Sequence, residues 1–145
     1  TMAPPILNGE GAKVQQDWFY GFLMQPIPLR PWLKVRMPTF GLSDEEATTL
    51  VKYFAAVDDP TLPFVHVDDQ SIPRQMVKAG EQLASVDYFA CFSCHQQGEQ
   101  KPEGPPEGWA PDLSLARTRL NPDWIVQWLE DPQKLMPGTK MPSFY

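Results

Sequence analysis

The 145-residue chain is poor in the two residue types that most often carry covalent and metal chemistry, with two cysteines and two histidines. It also has no apolar run approaching the length of a membrane span. The opening Thr1-Met2-Ala3-Pro4-Pro5 has no basic region leading into an apolar stretch, so no secretory signal is read there. Positive charge is in deficit: 12 Lys and Arg stand against 18 Asp and Glu, a net charge of −6. That balance argues against a nucleic acid as partner. It suits a soluble protein that meets a basic or largely apolar docking surface. Proline, by contrast, is abundant. Seventeen of them, about twice ordinary usage, punctuate the chain into short helices separated by extended loops. The expected architecture is all-α, small and loop-rich.

Both cysteines fall in one five-residue run, Cys91-Phe92-Ser93-Cys94-His95. Cys-x-x-Cys-His is the attachment pattern of a covalent c-type haem. Each thiol can form a thioether to one vinyl group, and the next residue places an imidazole under the iron as proximal ligand. One haem c would consume every cysteine in the chain. A thioredoxin-like redox pair also reads Cys-x-x-Cys, but it calls for a βαβ pattern that the flanking sequence does not offer. A zinc site needs four ligands, and beyond Cys91, Cys94 and His95 the one further Cys or His is His66, in a Pro- and Asp-rich stretch. Thioether attachment resembles chemistry done outside the cytoplasm, so the chain reads as a mature protein or an excised piece, periplasmic or otherwise extracytoplasmic.

The chain also repeats itself. At a shift of 106, Pro5-Ile6-Leu7 meets Pro111-Asp112-Leu113, Lys13 meets Arg119, Asp17-Trp18 meets Asp123-Trp124, Leu23 meets Leu129 and Pro26 meets Pro132. Two extra residues in the first copy then change the shift to 104. Arg36-Met37-Pro38-Thr39-Phe40 meets Lys140-Met141-Pro142-Ser143-Phe144. Agreement in order over rare Trp and Met marks a real internal repeat.

Helices are predicted at Asp17 to Met24 and Asp123 to Glu130, each opened by an acidic residue and stopped by Pro26 or Pro132. Ser43 and Glu46 have capping-box spacing. The helix they open, residues 43–57, carries Ala47, Leu50, Val51, Phe54 and Val57 at a period near 3.6. Residues 58–74 read as a Pro- and Asp-rich linker. A helix from Gln75 to Tyr88, with Met76, Ala79, Gly80, Leu83 and Val86 on related faces, runs into the cysteine motif. The expected division is 1–57, a haem-less half-domain repeat; 58–74, the linker; and 75–145, the haem-binding domain.

In residues 75–145 the helix with Gly80, the Cys91–His95 run, Trp109-Ala110-Pro111-Asp112-Leu113, Arg119, the Trp124 helix and Gly138-Thr139-Lys140-Met141-Pro142 follow one another in an order that resembles a class I c-type cytochrome. The resemblance implies that fold around one haem, with Met141 as the ligand opposite His95. It implies that the Pro111 carbonyl accepts a hydrogen bond from the His95 imidazole and that Arg119 neutralises a haem propionate. Trp109, Trp124 and Trp128 are candidates to line the haem or to reach a propionate through an indole N–H. The chemistry of Met141 agrees: a thioether is a soft, neutral ligand for haem iron, and Pro137 and Pro142 stiffen its loop. Met136 reads as packing, as do Phe89 and Phe92 unless they shield the porphyrin.

One departure concerns the closing helix of such domains, which crosses the N-terminal helix over a glycine. Nothing of that character follows Phe144, whereas residues 43–57 have it. Either the chain is the middle of a tandem cytochrome, with Met37 belonging to another haem, or the 43–57 helix packs on the 75–88 helix at Gly80 in permuted order, bringing Leu50 and Tyr53 there in cis or in a helix-swapped oligomer. The expected function is one-electron transfer in an extracytoplasmic respiratory or photosynthetic chain between redox protein partners, rather than enzyme activity. The alternative is a docking or structural subunit of a larger multi-domain cytochrome or quinol-oxidising complex, anchored to the membrane through that complex or a longer chain. An open-site haem enzyme or gas-binding protein would need a polar distal residue, and only His66 is at hand.

Overall fold

The computed structural model describes residues 6–34, 36–58 and 72–144. His66, Pro5 and most of the 58–74 linker lie outside the described residues. The fold is mostly helical, and among the described residues the only extended pairings are isolated bridges. The helices are α1 (Glu10–Lys13), α2 (Gln16–Met24), α3 (Asp44–Asp58), α4 (Arg74–Ala84), α5 (Ala116–Arg119), α6 (Pro122–Glu130) and α7 (Pro132–Leu135). They group into two units, one formed by Thr1–Pro26, Thr39–Val67 and Thr118–Tyr145, the other by Ile27–Pro38 and Asp68–Arg117.

The first unit is built where α3 lies on α1 and α2. Ser43 opens α3 as a full capping box: its backbone N–H donates to the Glu46 carboxylate at 2.9 Å, and the Glu46 N–H returns to the Ser43 hydroxyl at 3.3 Å. The Ser43 N–H and, at 3.0 Å, the Ser43 hydroxyl both donate to the Glu46 carboxyl and hold it below the usual carboxylate range. Ala47, Val51 and Ala55, four residues apart and therefore on one face, are buried, and Ala47 and Val51 cluster with Val14, Phe19 and Leu23. Val57, expected on that face, points away and is exposed.

Small residues let α3 approach closely, and the closest approach is at Gly11. A Cβ built there would lie 2.1 Å from the Phe54 carbonyl oxygen. The last residue of α3 completes the contact, because the Asp58 carboxylate accepts the N–H groups of Gly11 and Ala12 at 2.7 and 3.2 Å. This corrects the expectation that the 43–57 helix closes the half carrying the cysteines over Gly80. The helix is seated on the first copy, with Gly11 as its close-approach glycine, and a Cβ on Gly80 would meet nothing within 4 Å. Gly11→Ala is therefore expected to cost about 1–3 kcal/mol through overpacking. Gly80→Ala, in an exposed helix interior, should instead gain about 0.5–1 kcal/mol. Urea unfolding of the two variants checks both signs.

The sequence repeat reappears in the fold as a local two-fold relation. Shifting α1 and α2 by 106 gives α5 and α6 residue for residue. The residues before α2 and α6 match in conformation, Gln15 at φ −65°, ψ 135° and Asn121 at φ −71°, ψ 131°; so do those after, Gln25 at −141°, 87° and Asp131 at −149°, 83°. Val14 and Leu120 form an antiparallel bridge. Across it the Gln15 N–H donates to the Arg119 carbonyl at 2.8 Å, and its counterpart, the Asn121 N–H, to the Lys13 carbonyl at 2.9 Å. Side chains repeat the exchange: Gln15 Nε2 donates to the Leu120 carbonyl at 2.8 Å and Asn121 Nδ2 to the Val14 carbonyl at 3.1 Å. Lys13 lies over the Trp124 ring at 5.8 Å while Arg119 lies over the Trp18 ring at 5.2 Å. Each contact is the image of another, as in an isologous interface between two protomers.

The copies diverge after Pro26 and Pro132. Following Pro132, α7 forms with the Asp131 carboxylate accepting the Lys134 N–H at 3.1 Å. The first copy has Pro28 at the position of Lys134, which offers no N–H and restricts Ile27. No helix forms there.

In the second unit, α4 stops at Ala84, short of the expected Tyr88. The Ser85 hydroxyl turns back to the Gln82 carbonyl at 2.7 Å, and the Ala90 N–H closes on the Ser85 carbonyl at 2.8 Å. This local bonding competes with continuation of the helix. No residue of α4 is buried.

Candidate functional site

Cys91–Ser93 form a single 3-10 turn, entered through Ala90 in the left-handed region at φ 50°. The Ser93 N–H bonds the Ala90 carbonyl at 2.9 Å, and the Cys91 carbonyl accepts from Cys94 at 3.2 Å and His95 at 2.9 Å. Side chains three apart eclipse in such a turn, which sets the two thiols on one side of it, and the imidazole is next in the chain. Both cysteines are unbridged, Cys91 half-buried and Cys94 exposed. Burial pushes the Cys91 thiol up from its ordinary value. That is opposite to the lowered thiol of a dithiol oxidoreductase.

His95 is held at backbone and side chain. It forms a parallel bridge with Ala110, whose N–H donates to the Cys94 carbonyl at 2.8 Å, and the Leu113 N–H donates to the Gln96 carbonyl at 2.8 Å. His95 Nδ1 lies 2.7 Å from the Pro111 carbonyl oxygen. A carbonyl can only accept, so this bond places the proton on Nδ1 and leaves the Nε2 lone pair available to a metal. Asp112 steadies the segment. Burial pushes its carboxyl up, but the Ser114 N–H at 2.8 Å, the Ser114 hydroxyl and the Gly98 N–H at 3.4 Å outweigh that and hold it below its ordinary value.

Of the residues singled out in the sequence, Cys91, Cys94, His95, Trp109 and Pro111 belong to the second unit, and Arg119, Trp124 and Met141 to the first. Trp109 donates its indole N–H to the Gly104 carbonyl at 3.2 Å. Arg119 and Trp124 sit in the two-fold contact described above, and Trp124 stacks on Trp128 with centroids 5.0 Å apart. Met141 is half-buried, and Trp128 Nε1–H donates to its sulfur at 2.7 Å. Its loop is pinned by Gln133, whose carboxamide donates to the Thr139 carbonyl and accepts the Gly138 N–H at 3.1 Å, with Gly138 at φ 85°. Met37 is exposed.

Sequence reasoning missed Trp32. Its ring meets Trp109 edge-on at 5.5 Å, and its buried indole N–H has no partner among the described residues. Both rings line a cleft of about 540 Å³ together with Leu29, Gln96 and Leu115. Cys91, Cys94 and His95 do not line that cleft, so the chemistry-bearing groups and this cleft are separate features of the unit.

No protein family, curated protein or solved structure matches the chain.

Proposed function

We propose that the chain is a one-electron carrier holding one haem c through thioethers to Cys91 and Cys94, with His95 and Met141 as axial ligands. The observation that carries this reading is the His95 Nδ1 contact with the Pro111 carbonyl at 2.7 Å, which orients the imidazole with Nε2 available, next to two unbridged thiols on one turn. The donor set fits: two thiols for the vinyl groups, one oriented neutral imidazole, and a thioether on a proline-flanked loop. When bound, such a haem would supply a reversible ferric–ferrous couple.

The chain's own residues position the ligands. The Pro111 carbonyl fixes the imidazole, on a segment that Asp112 steadies. Gln133, Gly138 and Trp128 hold the Met141 thioether. A hydrogen bond to that sulfur draws electron density from it and favours the more electron-rich reduced state. Trp128→Phe, which installs the residue of the first copy, Phe22, should thus lower the reduction potential, as read by spectroelectrochemistry. The excess of acidic groups suits a redox partner with a basic or apolar docking face. Among the described residues no helix is long and apolar enough to cross a membrane. The chemistry of attachment favours an extracytoplasmic location.

The two-fold seating of the haem-less copy favours a second reading, in which that copy is a docking module within a larger multi-domain cytochrome or quinol-oxidising complex. Intact mass and an absorption spectrum of the protein expressed with periplasmic haem attachment test the first reading. One haem per chain and a low-spin spectrum with a methionine-to-iron charge-transfer band support it. An unmodified mass or a high-spin spectrum would overturn it.

A further inference from the structure

The haem-less copy reaches Met141 through one unbroken line of contacts, all of them inside the first unit. The Asp58 carboxylate fixes the Gly11 and Ala12 N–H groups, and the next residue, Lys13, holds α6 twice. Its carbonyl accepts the Asn121 N–H at 2.9 Å, and its ammonium, ion-paired with Glu10, lies over the Trp124 ring. Trp124 stacks on Trp128 with 5.0 Å between centroids and 16° between planes, and the Trp128 indole N–H ends on the Met141 sulfur. The local two-fold supplies a comparison within the same molecule. Arg119 lies over Trp18, and Trp18 stacks on Phe22 at 4.8 Å and 16°. The two ring pairs match in geometry. They differ in the last ring, because phenylalanine has no N–H to donate.

We propose that the first copy is a positioning device for the Met141 thioether, with Lys13 and Trp124 setting the orientation of the Trp128 indole from across the two-fold contact. The proposal rests on the reading of Met141 as an axial ligand, and it gives the copy without cysteines a task inside its own chain. An indole aims its N–H by the rotation of its ring, and that terminal torsion is broad when nothing lies against the ring. Stacking on Trp124 narrows it. Trp124 is held in turn by the cation over its face, and that cation is tethered by Glu10 and by its own hydrogen-bonded backbone. Pairing with Glu10 leaves Lys13 little net field at a distance. Lys13 therefore acts through position rather than through charge. Lys13 and Trp124 are positioning residues, and Trp128 is the group through which they act.

Hydrogen exchange of the Trp128 indole N–H in the full chain, followed by NMR with iron reduced where haem is bound, tests this line without a redox measurement. The resonance is identified by its absence in Trp128→Phe. Trp124→Leu is expected to speed the exchange roughly three- to tenfold, the span set by a stacked aromatic pair. Lys13→Met, which spares the rings, should speed it less. Trp18→Leu removes the mirror-image ring and loosens the same contact between the copies, yet should leave the exchange unchanged. In the haem-loaded protein Trp124→Leu should lower the reduction potential in the direction of Trp128→Phe, and the double variant should go no further than Trp128→Phe alone. Unchanged exchange in both Trp124→Leu and Lys13→Met overturns the proposal. So does equal acceleration by Trp18→Leu and Trp124→Leu, which would mark a general loosening, and so do potential shifts that simply add. A chain without haem overturns the axial-ligand reading and with it the purpose of the device, whereas unchanged exchange in a haem-loaded chain overturns the device alone.

Discussion

Replacing Cys91 and Cys94 together by alanine is expected to abolish covalently held haem, seen as loss of the band in a denaturing gel stained for haem peroxidase activity. The expectation is all-or-none because these are the only cysteines in the chain and a thioether needs a thiol at each vinyl group. Each single variant can retain one thioether, so an attenuated band is expected from Cys91→Ala and from Cys94→Ala. Exposure of Cys94 and partial burial of Cys91 make the first the more accessible during attachment. A stained band of undiminished intensity in the double variant would remove haem c from the chain and leave His95, with its oriented imidazole, in need of another explanation. The His95→Ala variant separates attachment from ligation: covalent haem can persist there while the low-spin spectrum is lost.

Much of the helical framework was legible in the sequence because its signals are local. Ser43 and Glu46 are three residues apart and satisfy each other's backbone, so no distant residue is needed to see the start of α3. The Asp17 and Asp123 helices were equally plain, each closed by a proline. The closing contact was not legible, because it is a choice between glycines. Gly11 and Gly80 both sit within helical stretches, and only the pairing of α3 with α1 shows that a carbonyl lies against one and open space against the other. The two-fold contact was half legible. The repeat at a shift of 106 placed Lys13 on Arg119 and Trp18 on Trp124, and the reciprocal stacking of each cation on the other copy's indole follows only if the copies face each other, which periodicity does not say. Gln15 and Asn121 carried a usable signal, since both are side-chain amides at equivalent places able to donate across the axis. Trp128 was noted as a haem-lining candidate, but its donation to the Met141 sulfur depends on how α7 turns the chain back.

The two methionines of the repeat should behave differently toward iron: Met141→Ala is expected to eliminate the methionine-to-iron charge-transfer band of the oxidised protein, and Met37→Ala to leave it in place. Their sequence settings are nearly the same, Met-Pro-Thr-Phe against Met-Pro-Ser-Phe, so the distinction must come from what surrounds them. Met141 follows α7, on a loop pinned by Gln133 and turned at Gly138, and its sulfur accepts a hydrogen bond from Trp128. A thioether held in one place has already given up part of the freedom that ligation would cost it. Met37 lacks that framework: its copy has Phe22 where Trp128 stands, which has no N–H to donate, and Pro28 in place of the residue that closes the first turn of α7. It is also exposed. Against this stands the grouping of Ile27–Pro38 in the same unit as the cysteines, while Met141 belongs to the other. The pair of variants weighs pre-organisation against that grouping. If the band survives in Met141→Ala and vanishes in Met37→Ala, the first copy supplies the ligand and the pinned loop around Met141 serves the two-fold contact instead.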